Sequence, residues 1–145
     1  ISACLVGSEM CIRDREYIMR TITQFLMGLS LVLTATLSLA GGKPFNQAEF
    51  NALQQKGAPI VLTVHADWCS TCKKQAPILQ KQMDQANNQA ITFFVLDFDK
   101  EKAALRDLRI SRQSTLVAYK GGQEVKRSTG DTSVTGIEAL VASVR

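Results

Sequence analysis

The sequence predicts an α/β fold, a central mixed sheet of four to five strands flanked by helices. From Phe45 onward, apolar β-rich runs alternate with segments of helical spacing in the order α-β-α-β-α-β-β-α. Such alternation implies parallel pairing through helical crossovers. The last two strand-like runs flank Gly121-Gly122, a hairpin signal that adds antiparallel edges. At 145 residues, 46% hydrophobic and 21% charged, the chain is long enough for one domain with a real core.

The elements follow in order. Gly41 to Pro44 reads as a short flexible lead-in. Phe45 to Gly57 reads as a helix: Asn46 is its N-cap, Glu49 stands at capping-box spacing, Phe45 can staple onto Phe50, and Gly57 is the stop. "PIVLTVHA", Pro59 to Ala66, reads as a buried strand. Helical spacing runs from Ser70 to about Asn88, with Ala76, Leu79 and Met83 on one face and Pro77 inside, where a kink is expected. Ala90 to Asp99 is a second buried strand and Lys100 to Ile110 a short helix. Ser114 to Gly130 is the hairpin. Ser133 to Arg145 closes the chain as an amphipathic helix with Ile137, Leu140, Val141 and Val144 on one side.

The first forty residues read differently. Met19-Arg20 precedes an apolar run, Thr21 to Ala40, that ends in the small residues Ser38 and Ala40, the pattern of a signal peptide cleaved after Ala40. Ile22 to Ala40 is just long enough for an uncleaved membrane anchor, with the domain outside the cytoplasm. Residues 1–18 fit neither part; "CLVGSEMCIRDR" resembles translated sequencing-adapter readthrough, so 1–18 reads as a non-native leader that includes Cys4 and Cys11. Residues 41–145 are then the working domain, in an exported chain whose oxidising compartment permits disulfides. The net charge of +4 comes from scattered Lys and Arg, which speaks against a nucleic-acid partner.

Chemistry concentrates in "HADWCSTCKKQAP", His65 to Pro77. In α/β sheets, ligands and reactions gather beyond the carboxyl ends of strands, and Trp68-Cys69 lies at such an end. A cysteine in the first turn of a helix faces free backbone N–H groups and the positive end of the helix dipole. Both stabilise a thiolate, so Cys69 is expected to be nucleophilic. Cys72 lies one turn on, within reach of a disulfide. Cys69 can attack a substrate disulfide and Cys72 can resolve the mixed disulfide. Trp68 covers one side, and Lys73 and Lys74 keep the neighbourhood positive. Two alternatives stand beside this reading. A zinc site would need four ligands, and one Cys-x-x-Cys supplies two. A purely structural disulfide closing so short a loop would constrain the unfolded chain little. His65, four residues before Cys69, is either a packed or surface histidine or a tuner of the thiolate. Asp97 and Asp99 read as solvated or turn-capping residues.

These residues resemble the thioredoxin family over Phe45 to Arg145. The resemblance is carried by "ADWCSTCK" with Pro77 five past Cys72, by "LDFD" ending the next strand, and by "STLVAYKGGQEV". It implies a thioredoxin-like fold and thiol–disulfide exchange with Cys69 attacking and Cys72 resolving. The partners it implies are protein or small-molecule disulfides and thiols, with no cofactor. Without a large helical insertion the balance favours a reductase, which in a bacterial periplasm would need a membrane electron donor.

Three departures from the family stand out. Ser70-Thr71 replaces the Gly-Pro of thioredoxin. Thr63 stands where thioredoxin buries an aspartate, so water or Asp67 becomes the substitute proton carrier. Ser114 stands where the family has a cis-proline facing the disulfide, within the candidate substrate-binding run Gln113, Ser114 and Thr115. A cis bond before serine would cost about 3–4 kcal/mol, so Gln113–Ser114 is expected to be trans. The missing ring leaves an alternative function open: a thioredoxin-like binding module that holds peptide, or a metal or iron–sulfur cluster between two chains, without redox turnover. The signal-peptide reading predicts that mass spectrometry of the exported form finds a terminus near Gly41. An intact Met19 terminus in the membrane fraction would mean an anchor instead.

Overall fold

The computed structural model describes residues 42–145. The expected leader at 1–18, the expected signal peptide at 19–40 and the expected cleavage after Ala40 lie outside the described residues. The elements are β1 (Lys43–Pro44), α1 (Gln47–Gln55), β2 (Ile60–His65), α2 (Ser70–Met83), a 3-10 turn (Ala86–Asn88), β3 (Thr92–Asp97), α3 (Lys102–Asp107), β4 (Thr115–Lys120), β5 (Gln123–Thr129) and α4 (Val134–Ala142). The sheet has five strands in the order β1-β3-β2-β4-β5. The first three are mutually parallel, and β4 and β5 are antiparallel to their neighbours.

Helix ends are set by local hydrogen bonds. The Asn46 carboxamide accepts the Glu49 N–H at 2.9 Å, one half of the capping box, while the Glu49 carboxylate pairs with Lys43. Phe45 staples onto Phe50, with ring centroids 5.4 Å apart. At the other end, Gly57 adopts φ 66°. Its N–H and that of Ala58 return to the Gln54 and Leu53 carbonyls, a Schellman closure. α3 closes the same way without a glycine: Arg109, at φ 53°, and Ile110 donate to the Arg106 and Leu105 carbonyls. With no glycine to mark it, the sequence places this end at Ile110, whereas the helix stops at Asp107.

Strand β2 lies between β3 and β4 and is covered on both faces, which explains its near-continuous apolar run. Ile60, Leu62 and Val64 pack with Phe50 of α1, Phe94 and Leu105 of α3. Val61 packs on the opposite face with Leu79 of α2 and with Ile137, Leu140 and Val141 of α4. The β4–β5 turn is Gly121-Gly122, with φ 62° and 77°, the positive pair that a two-residue hairpin loop requires. A bulge interrupts the ladder at Val125, since Ala118 pairs with Lys126 but Tyr119 with Glu124.

Three expectations are corrected. Lys43–Pro44 is a strand rather than a loose lead-in, because it finds a parallel partner in Phe94 and Val95. α2 ends at Met83, and the residues to Asn88 form a separate 3-10 turn. Its buried face is Cys72, Gln75, Leu79 and Gln82. Ala76 and Met83 lie at the margin, only half-buried. Pro77 sits inside α2, which runs on through it without the rung that a proline cannot donate.

Two measurements check this core. Phe50 meets Phe45, Phe94 and Tyr119 at centroid distances of 5.4, 6.1 and 5.2 Å. Phe50→Ala is therefore expected to lower urea-unfolding stability by about 3–5 kcal/mol. Burial pushes the Tyr119 hydroxyl up to about 12. The unfolded value is about 10, so the folded state keeps a proton that the unfolded chain has lost. Stability is thus fully retained below about pH 10 and falls by about 2 kcal/mol as pH rises to about 12. Unfolding curves across that window should show this slope in the wild type and lose it in Tyr119→Phe.

Candidate active site

The chain leaves the carboxyl end of β2 through a tight turn, closed by the Cys69 N–H on the Ala66 carbonyl at 3.0 Å. Cys69 is then the N-cap of α2. Its Sγ accepts the Cys72 N–H at 3.0 Å, standing where a serine or aspartate oxygen usually caps a helix. Cys69 and Cys72 form a disulfide, with Cα atoms 5.3 Å apart. Both are buried, and Ala66 and Phe98 complete their apolar surround.

Opposite the disulfide stands the loop into β4. Gln113–Ser114 is trans, as every described peptide bond is. Ser114 is buried, and its Oγ lies 2.9 Å from Cys69 Sγ and 3.2 Å from Cys72 Sγ. Its N–H donates to the Val64 carbonyl at 2.9 Å, which ties this loop to β2. The carbonyl of Ser114 accepts the Gly130 N–H at 2.9 Å and Gln75 Nε2 at 3.2 Å. Thr115 is buried beside it; its hydroxyl donates to the Arg112 carbonyl at 2.8 Å and meets Thr129 Oγ1 at 3.0 Å. Gln113 is half-buried ahead of Ser114. From the outer strand, Arg127 donates to the Leu108 and Arg109 carbonyls at 3.0 Å, fastening the end of α3 from which this loop departs.

The other sequence-selected residues spread around this centre. Trp68 is 61% exposed, yet its ring is fixed: Nε1 donates to Asp99 Oδ2 at 2.8 Å, and the indole stands edge-on to Phe98. Asp99 thus does more than solvate a turn. Asp97 is the capping residue, accepting the Asp99 and Lys100 N–H groups at 2.9 and 3.1 Å. The Lys100 ammonium, 2.9 Å away, is the main reason its carboxyl is held below the usual range. His65 Nε2 faces Asp67 at 3.4 Å and makes no hydrogen bond to either sulfur. With Asp67, Asp97, Lys100 and Glu101 it lines a cavity of about 360 Å³ beside the motif. The Asp67 carboxylate is fully open to solvent. Lys73 and Lys74 are exposed on α2. Thr63 is buried, and its hydroxyl has no hydrogen-bond partner among the described residues.

Gln75 was not among the residues the sequence singled out. Fully buried one turn past Cys72, its Nε2 bridges the Ser114 carbonyl and the Asp131 carbonyl, the latter at 2.8 Å. The signal was its spacing, since Cys72, Gln75, Leu79 and Gln82 recur at i, i+3, i+7 and i+10.

A buried disulfide at the start of the helix that follows a central parallel strand defines a thiol–disulfide oxidoreductase. Comparison with known proteins agrees. The family model for thioredoxin matches residues 42–143. Thioredoxin-2 of Saccharomyces cerevisiae is 32% identical over 94 residues, covering 65% of this chain and 88% of the yeast protein. Thioredoxin of Alicyclobacillus acidocaldarius is 29% identical over 97 residues, covering 67% and 91%. Among solved structures, Trxlp from Edwardsiella tarda EIB202 aligns with a TM-score of 0.67 at 40% identity, covering 71% of this chain and 98% of that one. The protein belongs to the thioredoxin family.

The Gln75 bridge generates a prediction. Gln75→Met keeps the length of the side chain but removes both donations. It is expected to destabilise the domain by about 1 kcal/mol, the usual net worth of a hydrogen bond, because the Ser114 carbonyl keeps the Gly130 N–H while the half-buried Asp131 carbonyl loses its Gln75 donor. Amide exchange at Gly130, whose N–H rests on the Ser114 carbonyl, should accelerate beyond the global change.

Proposed function

We propose that the protein is an exported disulfide reductase in which Cys69 attacks and Cys72 resolves. The observation that carries the order is the N-cap: Cys69 Sγ already accepts the Cys72 N–H at 3.0 Å. Once reduced, a thiolate there gains a charge-assisted bond and the favourable end of the α2 dipole. Cys72 sits behind it, beside the Val64 carbonyl at 3.7 Å, an acceptor that favours the protonated thiol.

The Cys69 thiolate attacks a disulfide RS–SR′, forms Cys69–S–S–R and expels R′S⁻. Cys72 then attacks Cys69 Sγ, the Cys69–R bond breaks, and RS⁻ leaves with the electron pair. The substrate has gained two electrons and the protein holds the Cys69–Cys72 disulfide. Turnover needs a dithiol donor; in a periplasm that donor is a membrane protein. The direction is supported by economy of structure: α2 passes into β3 through the single turn Ala86–Asn88, with no helical insertion among the described residues. Export is supported by the sequence pattern from Met19 to Ala40.

Insulin reduction with dithiothreitol tests turnover; a module that only holds peptide or metal would not speed insulin precipitation beyond the rate with dithiothreitol alone. Cys69→Ser is expected to abolish exchange and Cys72→Ser to accumulate mixed disulfides with substrate, as read by non-reducing gels and mass spectrometry. Accumulation in Cys69→Ser instead would reverse the two roles. Equilibration with glutathione gives the direction of electron flow, and a strongly oxidising poise would contradict the reductase reading.

A further inference from the structure

Resolution of a mixed disulfide poses a proton problem. Cys72 must lose a proton to attack, and the departing sulfur must gain one. Cys72 is 2% exposed, so bulk water is a poor acceptor for it. Charged groups surround the pair on the neighbouring segments: His65 and Asp67 ahead of it, Lys73 and Lys74 behind, Asp97, Asp99 and Lys100 after β3, and Asp131 beyond Gln75. Among the described residues none of these bonds to either sulfur; the carboxylates face His65, Lys100, Trp68 and Ser133 instead. The Val64 carbonyl can accept a hydrogen bond from Cys72 but cannot pass a proton on.

Ser114 can. A hydroxyl has one proton and two lone pairs, so it can accept from one sulfur while donating to another. Its Oγ lies 3.2 Å from Cys72 Sγ, the sulfur that must give up the proton, and 2.9 Å from Cys69 Sγ, the sulfur under attack. The placement is enforced. Ser114 holds φ 57°, a left-handed backbone that serine seldom adopts. Three hydrogen bonds fix it there: its N–H on Val64, and its carbonyl under Gly130 and Gln75. Such a conformer persists where its surroundings over-determine it.

We propose that Ser114 is a catalytic residue that relays the resolving proton. This rests on Cys69 attacking and Cys72 resolving. In the step, Cys72–SH and Cys69–S–S–R become the Cys69–Cys72 disulfide and R–SH. The Cys72–Cys69 sulfur bond forms, the Cys69–R sulfur bond breaks, and its electron pair leaves on the sulfur of R. One proton passes from Cys72 to Ser114 Oγ as the proton of Ser114 passes to the leaving sulfur, which departs in line on the side of Cys69 Sγ away from Cys72, so the hydroxyl swings over Cys69 Sγ to reach it. The two transfers are concerted, because a charged serine oxygen in this buried site would be costly. Serine emerges unchanged, and no further reactant is consumed. In the resting reduced protein the same geometry lets Ser114 donate to the Cys69 thiolate while accepting the Cys72 thiol.

Two variants separate the hydroxyl from the backbone. Ser114→Gly removes the hydroxyl and suits the left-handed φ; Ser114→Ala removes it and keeps the Cβ. Each reduced protein is mixed with glutathione disulfide, quenched with acid at intervals, and analysed by mass spectrometry for the mixed disulfide and the closed Cys69–Cys72 form. In both variants the mixed disulfide should accumulate, with the closing rate reduced about 100-fold at neutral pH, a usual contribution of general acid–base catalysis. The deficit should shrink as pH rises into the alkaline range, where hydroxide competes with Ser114 as the proton acceptor. Closure at the wild-type rate overturns the relay. So does a deficit equal at every pH, or one seen only in Ser114→Ala. Glutathione captured on Cys72 rather than Cys69 in the single-cysteine variants would overturn the underlying assignment, a result read independently of the Ser114 rates.

Discussion

Strand β2 has hydrogen-bonded neighbours on both edges and helices on both faces, so nothing along it can shift alone. Ile60 to His65 is registered residue by residue against Thr92 to Asp97. Ile60 to Thr63 is registered against β4 on the other side. Where β4 stops pairing, the Val64 carbonyl takes the Ser114 N–H instead. The same strand, two residues later, enters the turn that presents Cys69. The disulfide and the loop facing it are therefore measured from adjacent residues of one immobile segment. A distance of 2.9 Å between a side chain at position 69 and one at 114 is a consequence of that shared origin.

Around this fixed point the buried polar groups of α2 form two internal clusters. Gln75 serves the site end. Further along, the Gln82 carboxamide meets Glu138 of α4 at 3.2 Å, the Gln82 carbonyl accepts Asn88 Nδ2 at 2.7 Å, and Asn88 Oδ1 accepts Arg145 Nε at 2.8 Å. A helix with leucines at these positions would bury more apolar surface. It would also take the Gln75 donor from the Asp131 carbonyl and the Gln82 donor from Glu138, loosening the ties of α2 to the loop after β5 and to α4. The two clusters trade hydrophobic area for a defined orientation of α2 against the segments it must hold.

Much of this was legible in the sequence because local chemistry and tertiary structure agree. Asn46 and Gly57 cap α1 in the places where their side-chain and backbone preferences put them. Gly121-Gly122 turns the hairpin, and the apolar positions of the last helix are the buried ones. The cysteine pair could be placed at a strand-to-helix junction from spacing alone. What escaped was settled by partners distant in the chain. Lys43–Pro44 is a strand only because Phe94 and Val95 lie alongside. The buried face of α2 was misplaced because glutamines are normally read as solvent-facing, and Gln75 and Gln82 are buried by acceptors on other elements. The partner of Trp68 is Asp99, 31 residues on. A positive φ at Ser114 cannot be inferred from a residue that seldom adopts one.

The bulge at Val125 has a bearing on what the protein can touch. An unpaired strand of another chain can join any open ladder it meets. β5 is the outer border of the sheet and exposes most of its residues. An intruding strand would find a kinked ladder there, studded with Glu124, Lys126 and Arg127, with Arg127 already committed to α3. Kinks and charges of this kind discourage edge-to-edge pairing. The border is thereby made a poor template for a foreign strand, and the sheet stays five strands wide.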